Sequence, residues 1–165
     1  MNWLSRLLVL SIITLGSIGL DQCTKMGAKT HLQGHASISF LHDIIHFVYA
    51  ENPGTMLGIG SGLPENMRFV FFVLFIGIVL LVASAFVLFK PLQQATVLAT
   101  SLIVGGGVSN LIDRLIHDGS VIDFMLIRIG SLESGIFNTA DIAITLGACT
   151  LCLSWITAKR QKEIT

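Results

Sequence analysis

Charged residues are scarce in this sequence. They make up 12% of its 165 residues, whereas 53% are hydrophobic. A soluble domain of this size needs a more highly charged surface, so the composition indicates an integral membrane protein that forms one compact unit, residues 1–165. The chain also lacks net charge, with ten Lys and Arg against ten Asp and Glu. Because no basic excess exists, nothing in the composition indicates nucleic acid as a partner.

Cysteine is also rare, and the three cysteines are too few for a disulfide framework. Their spacing does not match the usual zinc motifs. The stretch H-D-I-I-H at 42–46 resembles a two-histidine zinc motif with Asp in place of Glu. That motif must be helical and needs a third ligand, whereas this stretch is rich in β-branched and aromatic residues. We therefore expect ordinary surface histidines here rather than a metal site.

Long apolar runs locate four transmembrane helices. Residues 69–89 and 92–112 are each 21 residues without a charge, and residues 142–158 are another 17. About 20 apolar residues are enough for a helix to cross a hydrocarbon core about 30 Å thick. The first run extends over residues 3–20 if Arg6 snorkels to the headgroups. We predict an all-α membrane bundle of four helices, with spans at about 3–20, 67–89, 92–112 and 141–158.

Four spans place both chain termini on one membrane face and both long loops, about 21–66 and 113–140, on the other. Each face has five Lys and Arg, but those of the terminal face are concentrated in short segments. The positive-inside rule then favours cytoplasmic termini. Nine of the ten acidic residues and all five histidines are on the loop face. We therefore expect any polar site to lie at that face.

The long loops contain segments with strand-like patterns. In the first loop, S-I-S-F at 37–40 alternates, and H-F-V-Y at 46–49 is rich in strand formers before the N-P-G turn at 52–54. We predict a small extracytoplasmic β-hairpin or sheet lying on the membrane. The second loop has an apolar segment at 121–129, and its periodicity leaves a strand and a short interfacial helix equally open.

Two spans end in polar motifs. In D-Q-C-T-K at 21–25, Asp21 and Lys25 are four residues apart and share a helix face, so an ion pair that closes the helix end is the ordinary interpretation. In G-G-G-V-S-N-L-I-D-R at 105–114, the first glycine and the serine form a close-packing face for a neighbouring helix. Asn110 and Arg114 are either a polar clasp between helices or donors aimed at a substrate carbonyl, and both interpretations remain open.

Two aspartates adjoin apolar sequence, Asp123 in V-I-D-F and Asp141 in F-N-T-A-D. Taken alone, Asp141 fits a helix start, where capping and the helix dipole favour an acid. Taken alone, Asp123 would be costly to keep ionised among hydrophobic residues. Two carboxylates at one membrane face can share a proton. Such a pair can activate a water and protonate a leaving amine, which is the chemistry of an aspartic protease.

These motifs together resemble those of the lipoprotein signal peptidase (signal peptidase II) family, bacterial inner-membrane aspartyl proteases. Five motifs occur in the family's order over essentially the whole chain, at 21–25, 52–58, 105–114, 121–124 and 137–141. The sequence departs from the family pattern at four positions. Leu57 stands where an aromatic residue is usual, Thr55 and Met56 where two alanines are common, and Ser109 where the family has glycine.

The resemblance implies an aspartic endopeptidase that removes the signal peptide from diacylglyceryl-modified prolipoproteins, cutting just before the lipidated cysteine. Asp123 and Asp141 would be its catalytic pair. The supporting and substrate-binding residues would be Asp21, Lys25, Asn52, Gly54, Asn110, Arg114, Asn138 and Ala140. The enzyme would use no metal or other cofactor. We expect a monomer in the inner membrane, in contact with membrane lipid, with its site at the periplasmic face.

Two other classes of function are compatible with the composition. A small proton- or ion-coupled transporter would have its acids near the bilayer midplane, often on broken helices, whereas these acids lie at one face. A non-catalytic assembly or anchor protein would explain the packing glycines, but it leaves the two aspartates without a role.

Overall fold

The computed structural model describes residues 1–55 and 58–164, so Met56 and Leu57 lie outside the described residues. Its helices are α1 (Trp3–Leu32), α2 (Glu65–Phe69), α3 (Ile76–Phe89), α4 (Gln94–Ile116) and α5 (Thr139–Ile164). A π-helical turn, Val70–Phe75, joins α2 to α3, so Glu65–Phe89 forms one continuous helix. Four helices in the described part of the chain are long and apolar enough to cross a membrane, which confirms the predicted four-helix bundle.

Helix α1 continues twelve residues beyond Leu20, where the predicted first span ends. Its 30 residues extend about 45 Å, whereas the hydrocarbon core is about 30 Å thick. The polar motif does not end the helix, because Asp21 and Lys25 pair within it at 2.6 Å. The last turns of α1 project beyond the hydrocarbon core, and Leu32 packs there against Phe124.

Arg6 contacts the C-terminal end of α3 through its guanidinium group. Its side chain is buried, and Nη1 donates to the carbonyl oxygens of Lys90 and, at 3.4 Å, Val87. The Val87 carbonyl has no helical donor four residues on, because Pro91 lacks an N–H. Arg6 therefore caps the end of α3, where its charge also interacts favourably with the helix dipole.

The two long loops pair with each other in one antiparallel sheet of β1 (Ile38–Phe40), β2 (Ile45–Asn52), β3 (Val121–Ile129) and β4 (Leu132–Phe137), in the order β1-β2-β3-β4. The β-structure expected in the first loop is confirmed, and the ambiguous second-loop segment is strand β3. Strand β4 was not predicted, because its sequence L-E-S-G-I-F has no clear alternation. Ala50 pairs with Asp123 in the β2–β3 register, so the sheet brings the first loop beside that aspartate.

Helix α4 is the centre of the bundle, and it contacts α1, α3 and α5. Its three consecutive glycines, 105–107, point about 100° apart around the helix and so face three different neighbours. A Cβ on the first would lie 2.7 Å from Cβ of Ser17 in α1, one on the second 2.5 Å from the carbonyl oxygen of Ala140 in α5, and one on the third 2.7 Å from Cδ2 of Leu80 in α3. The glycines therefore allow three helices to approach α4 at one level.

Replacing the middle glycine should destabilise the bundle. In an open helix, Gly→Ala stabilises by about 1 kcal/mol. In Gly106→Ala the new methyl meets the Ala140 backbone, which yields only if α5 moves, and we expect a net loss of about 1–3 kcal/mol. Thermal unfolding in detergent measures the change.

Gly16→Ala is the matched control, since nothing lies within 4 Å of a Cβ built at that helical glycine. Its melting temperature should equal or exceed that of the parent. A Gly106→Ala protein that melts with the parent would show that α5 does not depend on this contact.

Candidate active site

Polar side chains from α1, α4, β3 and the start of α5 meet at the loop face of the bundle. Those buried there are Asp21, Lys25, Ser109, Asn110, Asp113, Asp123 and Asn138. All ten residues singled out from the sequence lie in this region. They divide into a buried charged cluster on α1 and α4, and a cleft that both candidate aspartates line.

The buried cluster is centred on the Lys25 ammonium. Nζ lies 2.6 Å from Oδ2 of Asp21 and 2.9 Å from Oδ2 of Asp113, and it donates to Oδ1 of Asn110 at 2.8 Å. The side chains of Lys25 and both aspartates are at most 2% exposed. The ion pair predicted between Asp21 and Lys25 is confirmed, and Asp113 is an additional partner of the same ammonium group. Removal of Lys25 would leave two buried carboxylates without their cation, a situation that typically costs several kcal/mol.

Asp113 was not selected from the sequence, although it lies in the quoted motif at 105–114. A signal was available, since an acid beside Asn110 at the same helix end requires a cation. Each carboxylate of the cluster also accepts a backbone N–H next to a candidate catalytic residue. Oδ1 of Asp21 accepts from Ala140 N at 2.8 Å, and Oδ2 of Asp113 accepts from Ile122 N at 3.0 Å. The cluster thus fixes the backbone immediately before both candidate aspartates.

Ser109, which stands where the family has glycine, adds a hydrogen bond to the buried cluster. Its hydroxyl donates to Oδ2 of Asp21 at 2.8 Å, across the contact between α1 and α4. The predicted close-packing face is therefore confirmed, with Gly105 against Ser17 and the serine against Asp21. Ser109 satisfies a carboxylate oxygen that Lys25 alone would only partly neutralise.

Asp141 is held by the start of α5. Asp141 N donates to Oδ1 of Asn138 at 3.0 Å, and Oδ2 of Asp141 accepts from Asn138 N at 3.2 Å. This reciprocal pair is a capping box, with Asn138 as the N-cap and the aspartate at the third helical position. The predicted helix start is confirmed. The second carboxylate oxygen, Oδ1, accepts from Nδ2 of Asn110 at 3.1 Å.

Asp123 lies on β3 and is 2% exposed. Its Oδ1 accepts from Nδ2 of Asn138 at 2.7 Å, and its Oδ2 accepts from Nδ2 of Asn52 at 3.0 Å. Burial raises the pKa of this carboxyl to about 6; the Asn52 hydrogen bond opposes the rise and the charge of Asp141 adds to it. Asp123 therefore retains a proton at a higher pH than an exposed aspartate does.

Asn138 connects the two carboxylates. Its Nδ2 lies within hydrogen-bond distance of Asp123 Oδ1 and of Asn110 Oδ1, at 2.7 and 3.1 Å, while its Oδ1 accepts from Asp141 N. Because Asn110 Oδ1 also accepts from Lys25, the amides form a continuous path from the buried cation to both aspartates. The position of either carboxylate is consequently tied to that of the other.

Arg114 holds the loop that follows β2. Its Nη2 donates to the carbonyl oxygen of Gly54 at 2.9 Å, and its guanidinium lies 5.6 Å from the centre of the Phe72 ring. Gly54 N in turn donates to Oδ1 of Asn52 at 2.9 Å. A Cβ at Gly54 would lie 2.7 Å from the carbonyl oxygen of Ile59, so this turn requires glycine. Arg114 and Asn52 therefore fix the loop beside the aspartates.

A cleft of about 220 Å³ adjoins these groups. Both aspartates and the three amides Asn52, Asn110 and Asn138 line it, and Phe72, Ile76 and Ile144 contribute apolar walls from the second membrane helix and α5. A cleft with a carboxylate pair, several amide donors and an apolar side suits hydrolysis of an extended peptide with a hydrophobic flank.

The histidine stretch lies away from this cleft. His42 is in the turn after β1 with φ 56°, and His46 is on β2, so 42–46 is not helical, as its composition suggested. Within residues 1–55 and 58–164, no three His, Cys, Asp or Glu side chains are arranged to bind a metal ion.

Known proteins are similar to this chain in both sequence and fold. Residues 13–157 match the family described as Signal peptidase (SPase) II. A lipoprotein signal peptidase of Syntrophus aciditrophicus (strain SB) is 33% identical, covering 94% of this chain and 98% of its own. One from Chlorobium phaeobacteroides (strain DSM 266) is 37% identical, covering 93% and 89% respectively.

Two solved structures have a similar fold. A bacterial membrane enzyme determined by the in meso method at 2.3 Å resolution has a TM-score of 0.82 at 25% identity, covering 93% of this chain and 90% of its own. A second, at 1.9 Å, has a TM-score of 0.75 at 26% identity, with 88% and 91% covered. The four-helix membrane fold with its small sheet is therefore shared with solved enzymes, and this chain belongs to the signal peptidase II family.

Proposed function

We propose that this chain removes signal peptides from prolipoproteins, with Asp123 and Asp141 as the catalytic pair. The family of aspartic peptidases to which it belongs supports the reaction class. The single observation that carries the assignment is the cleft that both carboxylates line, with two donors on each. The comparisons lend no support to the transporter alternative.

The two carboxylates would share one proton and activate one water. The ionised carboxylate accepts a proton from the water as its oxygen attacks the scissile carbonyl carbon, and the protonated one donates to the carbonyl oxygen. Collapse of the tetrahedral intermediate breaks the C–N bond, and a carboxyl proton passes to the leaving amine. The raised pKa of Asp123, about 6, supports a pair that retains one proton near neutral pH.

The surrounding donors would hold the carboxylates and the substrate. Asn138, Asn110 and Asn52 already direct their amide nitrogens at carboxylate oxygens. Arg114 lines the same cleft and is anchored to Gly54, which makes it suited to binding a substrate carbonyl. Lys25 and Asp21 act indirectly: Lys25 holds Asn110, and Asp21 holds the backbone N–H of Ala140.

The substrate would carry a diacylglyceryl group on the cysteine just after the cut. The apolar walls Phe72, Ile76 and Ile144 belong to membrane-crossing helices, so the cleft lies beside the hydrocarbon region. A lipidated cysteine anchored in the bilayer would present the preceding peptide bond at this depth. Release of the apolar signal peptide into the bilayer would then need no passage through water.

The cleft would face the periplasm of a bacterial cell, with the chain in the inner membrane and both termini in the cytoplasm. The distribution of Lys and Arg supports this orientation. One chain supplies every residue of the site, which supports a monomeric enzyme in contact with membrane lipid.

Cleavage of a diacylglyceryl-modified prolipoprotein by the purified enzyme tests the activity. Asp123→Asn and Asp141→Asn should each lower turnover by about 10³-fold or more, because neither amide can exchange the proton. The unmodified prolipoprotein should be a poor substrate, and a chelator should leave the rate unchanged.

Asp43→Asn is the control, since that aspartate is 63% exposed in the turn after β1 and is not among the residues that line the cleft. It should retain full turnover. Near-normal turnover of either dyad variant would refute the assignment, and loss of activity on chelation would point to a metal.

The raised pKa of Asp123 also predicts a pH-dependent stability effect. The folded protein binds this proton up to about pH 6, whereas the unfolded chain releases it near the ordinary value of 3.8. Stability is therefore lost as pH rises between about 4 and 6, by at most about 3 kcal/mol. Asp123→Asn has no such proton, so its melting temperature should gain on the parent between pH 4.5 and pH 7.5.

The quantity compared is the difference in melting temperature between the parent and Asp123→Asn at each pH. A hydrogen bond that the new amide disrupts shifts this difference equally at both pH values, whereas the proton effect changes it between them. A constant difference between the parent and Asp123→Asn across this range would contradict a raised pKa.

Membrane orientation is tested by thiol labelling in a variant whose three cysteines are replaced by serine. A cysteine at His35→Cys, on the loop face, should react with a membrane-impermeant maleimide in intact spheroplasts. One at Lys159→Cys, near the C-terminus, should react only after lysis. The reverse pattern would place the cleft in the cytoplasm.

A further inference from the structure

A second cavity adjoins Arg114, which also lines the cleft. It has a volume of about 160 Å³ and lies between the start of the second membrane helix and the end of α4. Its lining residues are Glu65, Arg68, Phe69, Val73, Arg114, Leu115, Asp118 and Gly119. Among the described residues, Arg114 alone lines both this cavity and the cleft of the aspartates. Nothing in the proposed reaction uses the other seven.

Two guanidinium groups in this cavity have unsatisfied donors. Nε of Arg68 and Nε of Arg114 are both buried, and neither has a hydrogen-bond partner among the described residues. Neither guanidinium forms an ion pair within 4.0 Å in that part of the chain. Buried donors on charged groups are costly to leave unpaired, and most are satisfied in folded proteins. An anion between the two arginines would satisfy both.

The other lining residues indicate which kind of molecule would carry this anion. Phe69 and Leu115 are 49% and 64% exposed, and both belong to helices that cross the membrane, so they face the lipid. Glu65 and Asp118 are exposed carboxylates of the same cavity. The cavity therefore combines two cations, two anions and an apolar side, and its charges sum to zero.

We propose that this cavity binds the headgroup of a zwitterionic aminophospholipid, with the phosphate at Arg68 and Arg114, the ammonium at Glu65 and Asp118, and the acyl chains along Phe69 and Leu115. The lipid group of the substrate does not fit the same description, because a diacylglyceryl thioether has no phosphate. The occupant is therefore a phospholipid of the surrounding bilayer. Its phosphate accepts from Arg114 Nε, while Nη2 of the same guanidinium donates to Gly54.

Lipid titration of the purified protein in detergent, followed by native mass spectrometry, tests this site. The probes are phosphatidylethanolamine and phosphatidylglycerol with identical acyl chains. The parent should bind phosphatidylethanolamine more tightly. Arg68→Gln should weaken that binding by about fivefold or more, the effect of one cation near a lipid phosphate. Arg68→Lys should retain part of it.

The double variant Glu65→Gln, Asp118→Asn separates the two charges of the headgroup. It should lose the preference for phosphatidylethanolamine while still binding phosphatidylglycerol. Lys29→Gln is the control, since Lys29 is an exposed cation at the same membrane face but on α1. Its lipid binding should match that of the parent.

Three results would overturn the proposal. One is unchanged lipid binding by Arg68→Gln in a protein that melts with the parent, and another is tighter binding of phosphatidylglycerol by the parent. The third is displacement of the bound lipid by inorganic phosphate at similar concentration, which would assign the site to a free anion. All three readouts are binding measurements, so they stand apart from the outcome of the cleavage assay.

Discussion

One buried ammonium group organises the loop face of this protein. Lys25 neutralises Asp21 and Asp113 and donates to Asn110, so three separate connections to the candidate site meet at Nζ. Each carboxylate passes the constraint to a backbone N–H beside a candidate catalytic residue. An isolated ion of this kind would be unstable in such surroundings, and here every partner also serves to position something else. The charged groups of this cluster are buried, so their partners are other protein groups rather than water, and these contacts hold them in place.

The depth of the site follows from where the helices end. Asp113, Arg114 and Asp141 belong to the ends of membrane helices that face the long loops, and Asp123 comes from the sheet that lies against them. Membrane-buried irregular structure is tolerated only where protein satisfies its backbone groups. The capping box at Asn138 and the Arg114 contact with Gly54 provide that satisfaction at the lipid–water boundary. A polar site of this kind can therefore lie next to hydrocarbon without exposing unpaired backbone groups to it.

Much of the fold could be predicted because membrane helices are marked by long uncharged runs. The end of α1 could not, because an ion pair between Asp21 and Lys25 is typical of a helix end, and their buried partner Asp113 lies on another helix. Strand β4 and the β2–β3 register depend on contacts between two loops far apart in sequence, and no local pattern encodes them. The partners of Arg6 could not be predicted for a similar reason: they are the carbonyls at Val87 and Lys90, more than eighty residues away. For the site, the motifs predicted the candidate residues, while their hydrogen-bond partners required the structure.

The junction between β4 and α5 has a consequence for how this sequence can change. Strand β4 ends at Phe137 and α5 begins at Thr139, so Asn138 is the entire connection between them. One inserted residue would rotate the helix by about 100° and shift it by about 1.5 Å relative to the sheet. Asp141 would then point away from Asp123, and Gly106 would no longer face Ala140. Most loops accept changes of length, but at this junction any change of length moves α5 relative to the sheet. Only substitutions that preserve the spacing keep both aspartates in one cleft.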